Sequence, residues 1–241
     1  MHADDPFTHP SRSHTVDVST LSPAARAVVE EARPTREASL PATLCHTVGA
    51  ECSSTATGAR SLEALVGSLT ALEGYVRIRR KSLSASRPGL AEKRTTRLLA
   101  SDYLFARAHG AVAAAAMGSG PELVCQRRLT STSSALVASF VSSTHSDGDA
   151  PAVGTSEAIL AELGCAFGAL AADVPERTHD SLESFGRSLG RASNPRVATG
   201  TADSVDCALE TLRANTSLED EAVAALESVA RAVESGAFET C

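Results

Sequence analysis

The chain has 241 residues, of which 43% are hydrophobic and only 3% aromatic, and its formal net charge is −7 at pH 7. This acidic balance argues against a broad nucleic-acid-binding face. The sequence contains no apolar run of about 18 residues and no basic-then-apolar leader pattern, so we expect no transmembrane segment and a cytoplasmic location.

Ala is abundant in the sequence, and Ala has the highest helix propensity of the amino acids. Runs of the β-branched and aromatic residues that strands favour are rare. We therefore predict an all-α fold, a single bundle of roughly eight to ten helices. Residues 1–20 are polar and contain two prolines, which predicts a flexible N-terminal tail ahead of one helical domain over residues 21–241.

Proline positions define the first two predicted helices. Ser22 followed by Pro23 is typical of a helix start, and Pro34 marks the end of that helix. A second helix is expected after Pro41 and runs toward Ala50, with the polar stretch that follows it forming a loop.

The next two helices are separated by the breaker sequence SASRPG at 84–89. Ser61 is expected to cap the first of them. The second is expected over 94–118, ending at Gly118. The apolar stripe of the first follows helical spacing and consists of Leu62, Leu65, Val66, Leu69, Leu72 and Val76.

In the second half we predict a Ser- and Thr-rich helix over 122–143, a loop over 145–154, and a helix capped by Thr155 or Ser156. A connection over 173–179 should precede a further helix. The apolar residues expected to face the core from the helix after the loop are Ile159, Leu160, Leu163, Phe167 and Leu170.

The C-terminal segment begins with a loop-like stretch at 194–204. The pattern Ser217-x-x-Asp220 predicts a capping box for the last helix, and Gly236 predicts its end. The apolar face of this helix is expected to consist of Val223, Leu226, Val229, Ala230 and Val233.

Six cysteines are scattered along the chain without a CxxC pair, and the seven histidines show no HExxH or HxH spacing. A zinc site therefore has little support, and the cysteines are expected to be isolated thiols in a reducing compartment. Cys165 lies in an apolar helical run, where a free thiol behaves as a small hydrophobe.

Three segments together resemble the trans-isoprenyl diphosphate synthases, a family also called polyprenyl synthetases. LLASDYLFARA (98–108) is similar to the family's "LLAGDYLLARA" segment, and Phe185-Gly186-Arg187-Ser188-Leu189-Gly190 is similar to its "fGrhLG" segment. The final helix, over 214–236, looks like the family's last amphipathic helix. The three occur in the family's order and with its rough spacing, and the likeness covers most of residues 35–236. It implies an isoprenoid-synthase-like helical domain.

The resemblance also implies a chemistry, in which an allylic diphosphate is joined to isopentenyl diphosphate. Two aspartate-rich motifs hold three magnesium ions, which bind the diphosphate and help it leave. At the first motif this sequence reads SLTALEGYVRIRRK, where Glu73 is the only acid. The stretch after Gly190 reads RASNPRVATG, without a carboxylate and with Pro195 interrupting the helix. The family's diphosphate-contacting lysine would fall near Gly154-Thr155 and is absent.

Arg79 and Arg80 resemble the family's diphosphate-binding arginine pair, because guanidinium forks suit phosphate oxygens. The alternative is a solvated basic helix end. Asp102, in the resembled segment, is interpreted as a structural acid inside the bundle, bonded to Arg97, Arg107 or a helix end.

Tyr103 and Phe105 are expected to belong to the core or to line a cavity. Asp147 and Asp149, in HSDGDAP, are expected to lie in a solvated turn.

The first functional hypothesis is a non-catalytic isoprenyl diphosphate synthase-like protein, a regulatory or partner subunit in isoprenoid biosynthesis without a cofactor. It would form a homodimer, or a heteromer with an active prenyl synthase, and bind no nucleic acid. The apolar face of 98–117 is either the interface or internal core. The alternatives are an active prenyltransferase with an altered site, which would need Mg²⁺, and an unrelated helical adaptor.

Overall fold

A computed structural model describes residues 18–53, 59–84, 91–115, 117–145, 153–194 and 205–238. Within these ranges the chain forms a short 3₁₀ turn and nine α-helices and contains no strand, which confirms the all-α prediction. None of the described helices combines the length and the hydropathy needed to cross a membrane. The helices are α1 Pro23–Ala32, α2 Leu40–Glu51, α3 Ala59–Ser84, α4 Ala91–Ala113, α5 Ser119–His145, α6 Val153–Ala172, α7 Glu176–Ala192, α8 Val205–Asn215 and α9 Asp220–Glu234.

The predicted starts of the first two helices are close to the observed ones. Ser22 is the N-cap of α1, and its hydroxyl accepts a hydrogen bond from the Ala25 amide at 3.3 Å. Ser39 caps α2 in the same way, accepting from the Ala42 amide at 3.3 Å. The predicted tail falls on residues outside the described ranges, except for Val18–Thr20, which form the 3₁₀ turn.

Two serine caps were predicted wrongly, because each of these helices starts earlier. Helix α3 begins at Ala59, so Ser61 lies inside its first turn. Helix α6 begins at Val153, which places Ser156 in the first turn as well. There the Ser156 hydroxyl is buried and lies 3.3 Å from the hydroxyl of Ser139 on α5. This serine therefore contributes to the contact between α5 and α6 and does not cap α6.

Other boundaries also differ from the prediction. Helix α4 ends at Ala113, before the expected Gly118, and Gly118 itself has a φ of 84°. Helix α8 was not predicted. The N-cap of α9 is Glu219, without a side-chain hydrogen bond, so the expected capping box does not form. Helix α9 ends at Glu234, and Gly236 follows with a φ of 71°, in agreement with the predicted stop.

The apolar stripe predicted for α3 forms the centre of the molecule, and all six of its residues are buried. A first hydrophobic cluster surrounds this stripe with side chains from α1, α2, α4, α5 and α6. A second cluster joins α2, α6 and α7 to α8 and α9, and includes the fully buried Leu182 and Leu189. Because α2 and α6 contribute to both clusters, the described helices share one continuous interior.

Glycines allow α6 to approach α2 and α7 at backbone distance. A Cβ atom added at Gly168 would lie 2.7 Å from the Cys45 carbonyl oxygen of α2. A Cβ atom at Gly186 would lie 2.6 Å from the Ala161 carbonyl oxygen, and one at Gly190 would lie 2.5 Å from the Glu157 carbonyl oxygen. The last two contacts place α7 against the N-terminal half of α6, with the last turn of α7 beside Glu157.

We predict that Gly186→Ala lowers the free energy of unfolding by about 1–3 kcal/mol, because its Cβ would displace the α6 backbone. Chemical denaturation monitored by circular dichroism measures the change. Gly67→Ala, in the middle of α3, is the matched control, since a Cβ there meets nothing within 4 Å. This control should gain about 0.5–1 kcal/mol from helix propensity. Equal effects of the two substitutions would contradict the proposed backbone contact.

Candidate functional site

The basic run at 77–81, on the C-terminal half of α3, makes ion pairs with acids from three other helices. The most buried inter-helix pair of the described residues joins Arg80 to Glu157, the fifth residue of α6. Arg80 Nη1 donates to Glu157 Oε1, and Arg80 Nη2 donates to Glu157 Oε2 at 3.1 Å. The two side chains are 17% and 6% exposed, so this bidentate pair is largely shielded from solvent.

Glu157 is the point at which three separate segments meet. Arg80 reaches it from α3, and the backbone of Gly190, near the end of α7, packs against its carbonyl group. The family resemblance placed a diphosphate-contacting arginine, a lysine near Gly154-Thr155 and a metal-binding motif after Gly190 in these same segments. The fold therefore brings the described parts of these segments together around Glu157, a carboxylate that no sequence pattern singled out.

Glu73 occupies a second buried acidic position on the same helix and is 2% exposed. The Ser39 hydroxyl donates to Glu73 Oε2 at 2.5 Å, and Arg77 Nη2 donates to Glu73 Oε1 at 2.8 Å. The N-cap serine of α2 therefore also binds the central acid of α3. Both carboxylate oxygens of Glu73 have a hydrogen-bond donor from the chain itself.

Arg79 points toward α4, where its Nη2 donates to Asp102 Oδ1 at 2.9 Å. Its guanidinium carbon also lies 5.4 Å from the centroid of the Tyr75 ring, a cation–π distance. Asp102 is therefore a structural acid, as predicted, but it lies at the surface of the bundle and pairs with Arg79. Its side chain is 57% exposed, and it binds neither of the arginines that were expected.

Arg79 and Arg80 are thus adjacent in sequence but bind acids on different helices. Arg79 connects α3 to α4, and Arg80 connects α3 to α6. Lys81 adds an exposed pair with Glu31 of α1, at 2.9 Å. The solvated basic end that was the alternative for the arginine pair does not describe Arg80, because its side chain is mostly buried.

A second polar cluster connects α5 to α7. Arg128 Nη1 donates to Glu183 Oε2 at 2.9 Å, and Arg187 pairs with Glu162 of α6. Burial raises the pKa of Glu183, although Arg128 opposes this shift. Burial, assisted by the charge of Arg128, lowers the pKa of His179. The sequence analysis missed this cluster, whose only local signal is Glu183 on the apolar face of α7.

The aromatic residues and the thiols are mostly core components. Phe105 packs against Tyr75, with ring centroids 5.3 Å apart, and Tyr103 is partly buried against the same cluster. The five cysteines within the described ranges are free, and Cys165 is buried as predicted. Burial raises the pKa of Cys125 to about 12, which keeps this thiol protonated at neutral pH. Asp147 and Asp149 lie outside the described residues.

No protein-family model and no curated protein sequence matches this chain. Solved structures do match it. The geranyl diphosphate synthase small subunit from Antirrhinum majus aligns over 90% of this chain and 91% of its own, with a TM-score of 0.67 and 14% identity. An FPP/GFPP synthase from Zymomonas mobilis aligns over 87% and 88%, with a TM-score of 0.61 and 14% identity. The chain has the isoprenoid synthase fold.

This fold confirms the architecture implied by the sequence resemblance. Magnesium, which the fold family implies, needs several open carboxylate oxygens. Glu73 and Glu157 are each already bound by an arginine, and the described residues contain no group of three or more His, Cys, Asp or Glu suited to a metal ion. The described donor set therefore does not fit a magnesium cluster.

We predict that Arg80→Gln lowers the free energy of unfolding by about 3–5 kcal/mol, because it leaves the buried carboxylate of Glu157 without its cation. Urea denaturation measures the loss. Replacing both partners, as Arg80→Met with Glu157→Leu, should restore most of it.

Arg231→Gln is the matched control, since its pair with Glu227 is exposed on α9 and should contribute about 1 kcal/mol or less. If Arg80→Gln lowered the free energy of unfolding as little as this control, the buried pair would not hold α3 and α6 together as we infer.

Proposed function

We propose that this protein is a non-catalytic chain with the isoprenoid synthase fold that acts as a partner subunit, either in a homodimer or with an active prenyl synthase. The observation that carries the proposal is the internal neutralisation of both buried acids of the candidate site. Arg77 neutralises Glu73, and Arg80 neutralises Glu157.

Because these acids and arginines already neutralise each other, few charged groups remain to bind a metal–diphosphate complex. A magnesium ion at Glu73 would have to displace a buried arginine and a serine hydroxyl. A diphosphate at Arg80 would have to displace Glu157 from the same fork. Diphosphate binding by Arg79 and Arg80 stays a prediction, and in this proposal both act as clamps between helices.

The partner surface that we propose is the outer face of α4 and α5. The face of 98–117 is divided in the structure, because Leu104, Ala108 and Val112 are buried internally while other residues of that segment face outward. The exposed large hydrophobic residues of α4 and α5 are Leu98, Leu99, Leu123, Val124, Val137 and Val141.

A second chain of the same fold is the occupant that suits this surface. The short connection at 114–118 makes α4 and α5 antiparallel neighbours, so Leu98 and Leu99 lie at the same end as Val137 and Val141. Helices of 23 and 27 residues present about 750 Å² of projected area, close to the roughly 800 Å² per partner of a standard interface. Among the solved structures with this fold, one is by name a small subunit.

We expect no chain elongation when the purified protein is incubated with magnesium, an allylic diphosphate and labelled isopentenyl diphosphate. The physical reason is the lack of open carboxylates at the candidate site. An active prenyl synthase assayed in parallel is the positive control. A longer prenyl product from this protein alone would contradict the proposal and favour an active prenyltransferase with an altered site.

Introducing charge on the α4–α5 face should abolish association. We predict that wild-type protein forms a dimer, or a complex with a co-expressed active prenyl synthase, in size-exclusion chromatography with light scattering. Leu99→Glu combined with Val137→Glu should give a monomer with unchanged helix content. Leu83→Glu, at an equally exposed apolar residue on α3, is the matched control and should leave the complex intact. A wild-type protein that is monomeric and does not bind the active synthase would refute the proposed interface.

A further inference from the structure

Helices α4 and α5 carry an excess of positive charge on an otherwise acidic chain. Together they contain six basic and three acidic residues, whereas the whole chain has 22 basic and 29 acidic residues. The rest of the chain therefore holds 16 basic and 26 acidic residues. The positive charge lies on the two helices whose exposed apolar residues form the proposed partner surface.

Three of these bases border the exposed apolar residues of the α4–α5 face. Lys93 and Arg94 of α4 and Arg127 of α5 are exposed, and they form no ion pair with a described residue. Arg94 lies four residues before Leu98, and Arg127 lies four residues after Leu123. Each of these two arginines is therefore one helical turn from an exposed leucine, on the same side of its helix.

The acids of the two helices with described side chains do not balance these bases. Asp102 is already bound by Arg79 of α3, at 2.9 Å. Glu122 is half-buried in the first turn of α5, where the positive end of the helix offsets part of its charge. The bases at the border of the face therefore keep their positive charge toward an approaching chain.

A second copy of this chain would bring like charges together on this face. A symmetric dimer uses the same patch on both subunits. Because α4 and α5 are antiparallel neighbours, Arg94 lies toward one end of the face and Arg127 toward the other. Every two-fold arrangement therefore places bases from both copies at each end of the interface, and like charges across an interface oppose association.

We propose that the α4–α5 face selects a different chain of the same fold, whose facing helices are apolar and acidic, in preference to a second copy of this chain. The proposal rests on the proposed subunit function and narrows it to the heteromeric form. Apolar contact supplies the buried area, while opposite charges at both ends of the face fix the choice of partner.

This chain with its border charges reversed provides a defined acidic probe of the same fold. Lys93→Glu, Arg94→Glu and Arg127→Glu together change an excess of three bases on α4 and α5 into an excess of three acids. Analytical ultracentrifugation at low ionic strength would compare the wild type, this charge-reversed variant and their equimolar mixture. We expect a 1:1 mixed complex that is at least about tenfold tighter than the self-association of either protein.

Salt and a matched variant separate the charge of the face from net charge. Raising sodium chloride should weaken the mixed complex and strengthen any self-association of the wild type, because screening reduces attraction in the first and repulsion in the second. The matched control combines Arg60→Glu, Arg177→Glu and Arg231→Glu, at exposed positions on α3, α7 and α9. It changes the net charge equally and should associate with the wild type no more than the wild type does with itself.

Two results would overturn the selection by charge and leave the subunit role intact. One is a wild-type dimer at low ionic strength that Leu99→Glu combined with Val137→Glu dissociates. The other is a control variant that binds the wild type as tightly as the charge-reversed variant does.

Other results would reject the face as a site for a protein partner. The absence of any mixed complex would refute it directly. Cosedimentation of the wild type with anionic phospholipid vesicles, without a mixed complex, would assign the face to a membrane surface instead. Chain elongation by the wild type alone is a different result, which contradicts the proposed function and not the charge selection.

Discussion

The buried pair between Arg80 and Glu157 is the constraint on which the arrangement of the candidate site depends. A buried charge is tolerated only with a close opposite charge, so α3 and α6 must keep these two side chains in register. The glycine contact between α6 and the last turn of α7 then fixes the third segment at the same point. Hydrophobic packing alone would allow these helices to slide, whereas a bidentate pair allows one alignment.

The same principle explains how the two buried acids of the candidate site are stabilised within the chain. In the resembled family, acids on facing helices share cations that are not part of the protein. Here the cations are covalently part of α3, at Arg77 and Arg80, and each has a buried acid within reach. Both buried acids of the candidate site are therefore neutralised within one chain. This internal neutralisation is the physical basis of the partner role that we propose.

Periodicity made the helices predictable, because burial of one face repeats every three to four residues. The stripe of α3 and the face of α9 follow from this rule. The helix starts at Ala59 and Val153 do not, since the local serine signals compete with packing against other helices. Arg80 and Glu157 are 77 positions apart, so no local pattern identifies them as partners. The family resemblance predicted which segments form a site, and only the fold showed which charges meet in them.

Helix α4, which contains the segment LLASDYLFARA, makes different contacts on its different sides. Leu104 and neighbouring small residues face the core, while Asp102 binds Arg79 of α3. Leu99 lies on the exposed side that we propose as the interface. Because these residues lie on different sides of one rigid helix, displacing α4 would disturb the core, the ion pair with α3 and the proposed partner surface together. Association at the outer face of α4 would therefore reduce the freedom of this helix to move relative to α3.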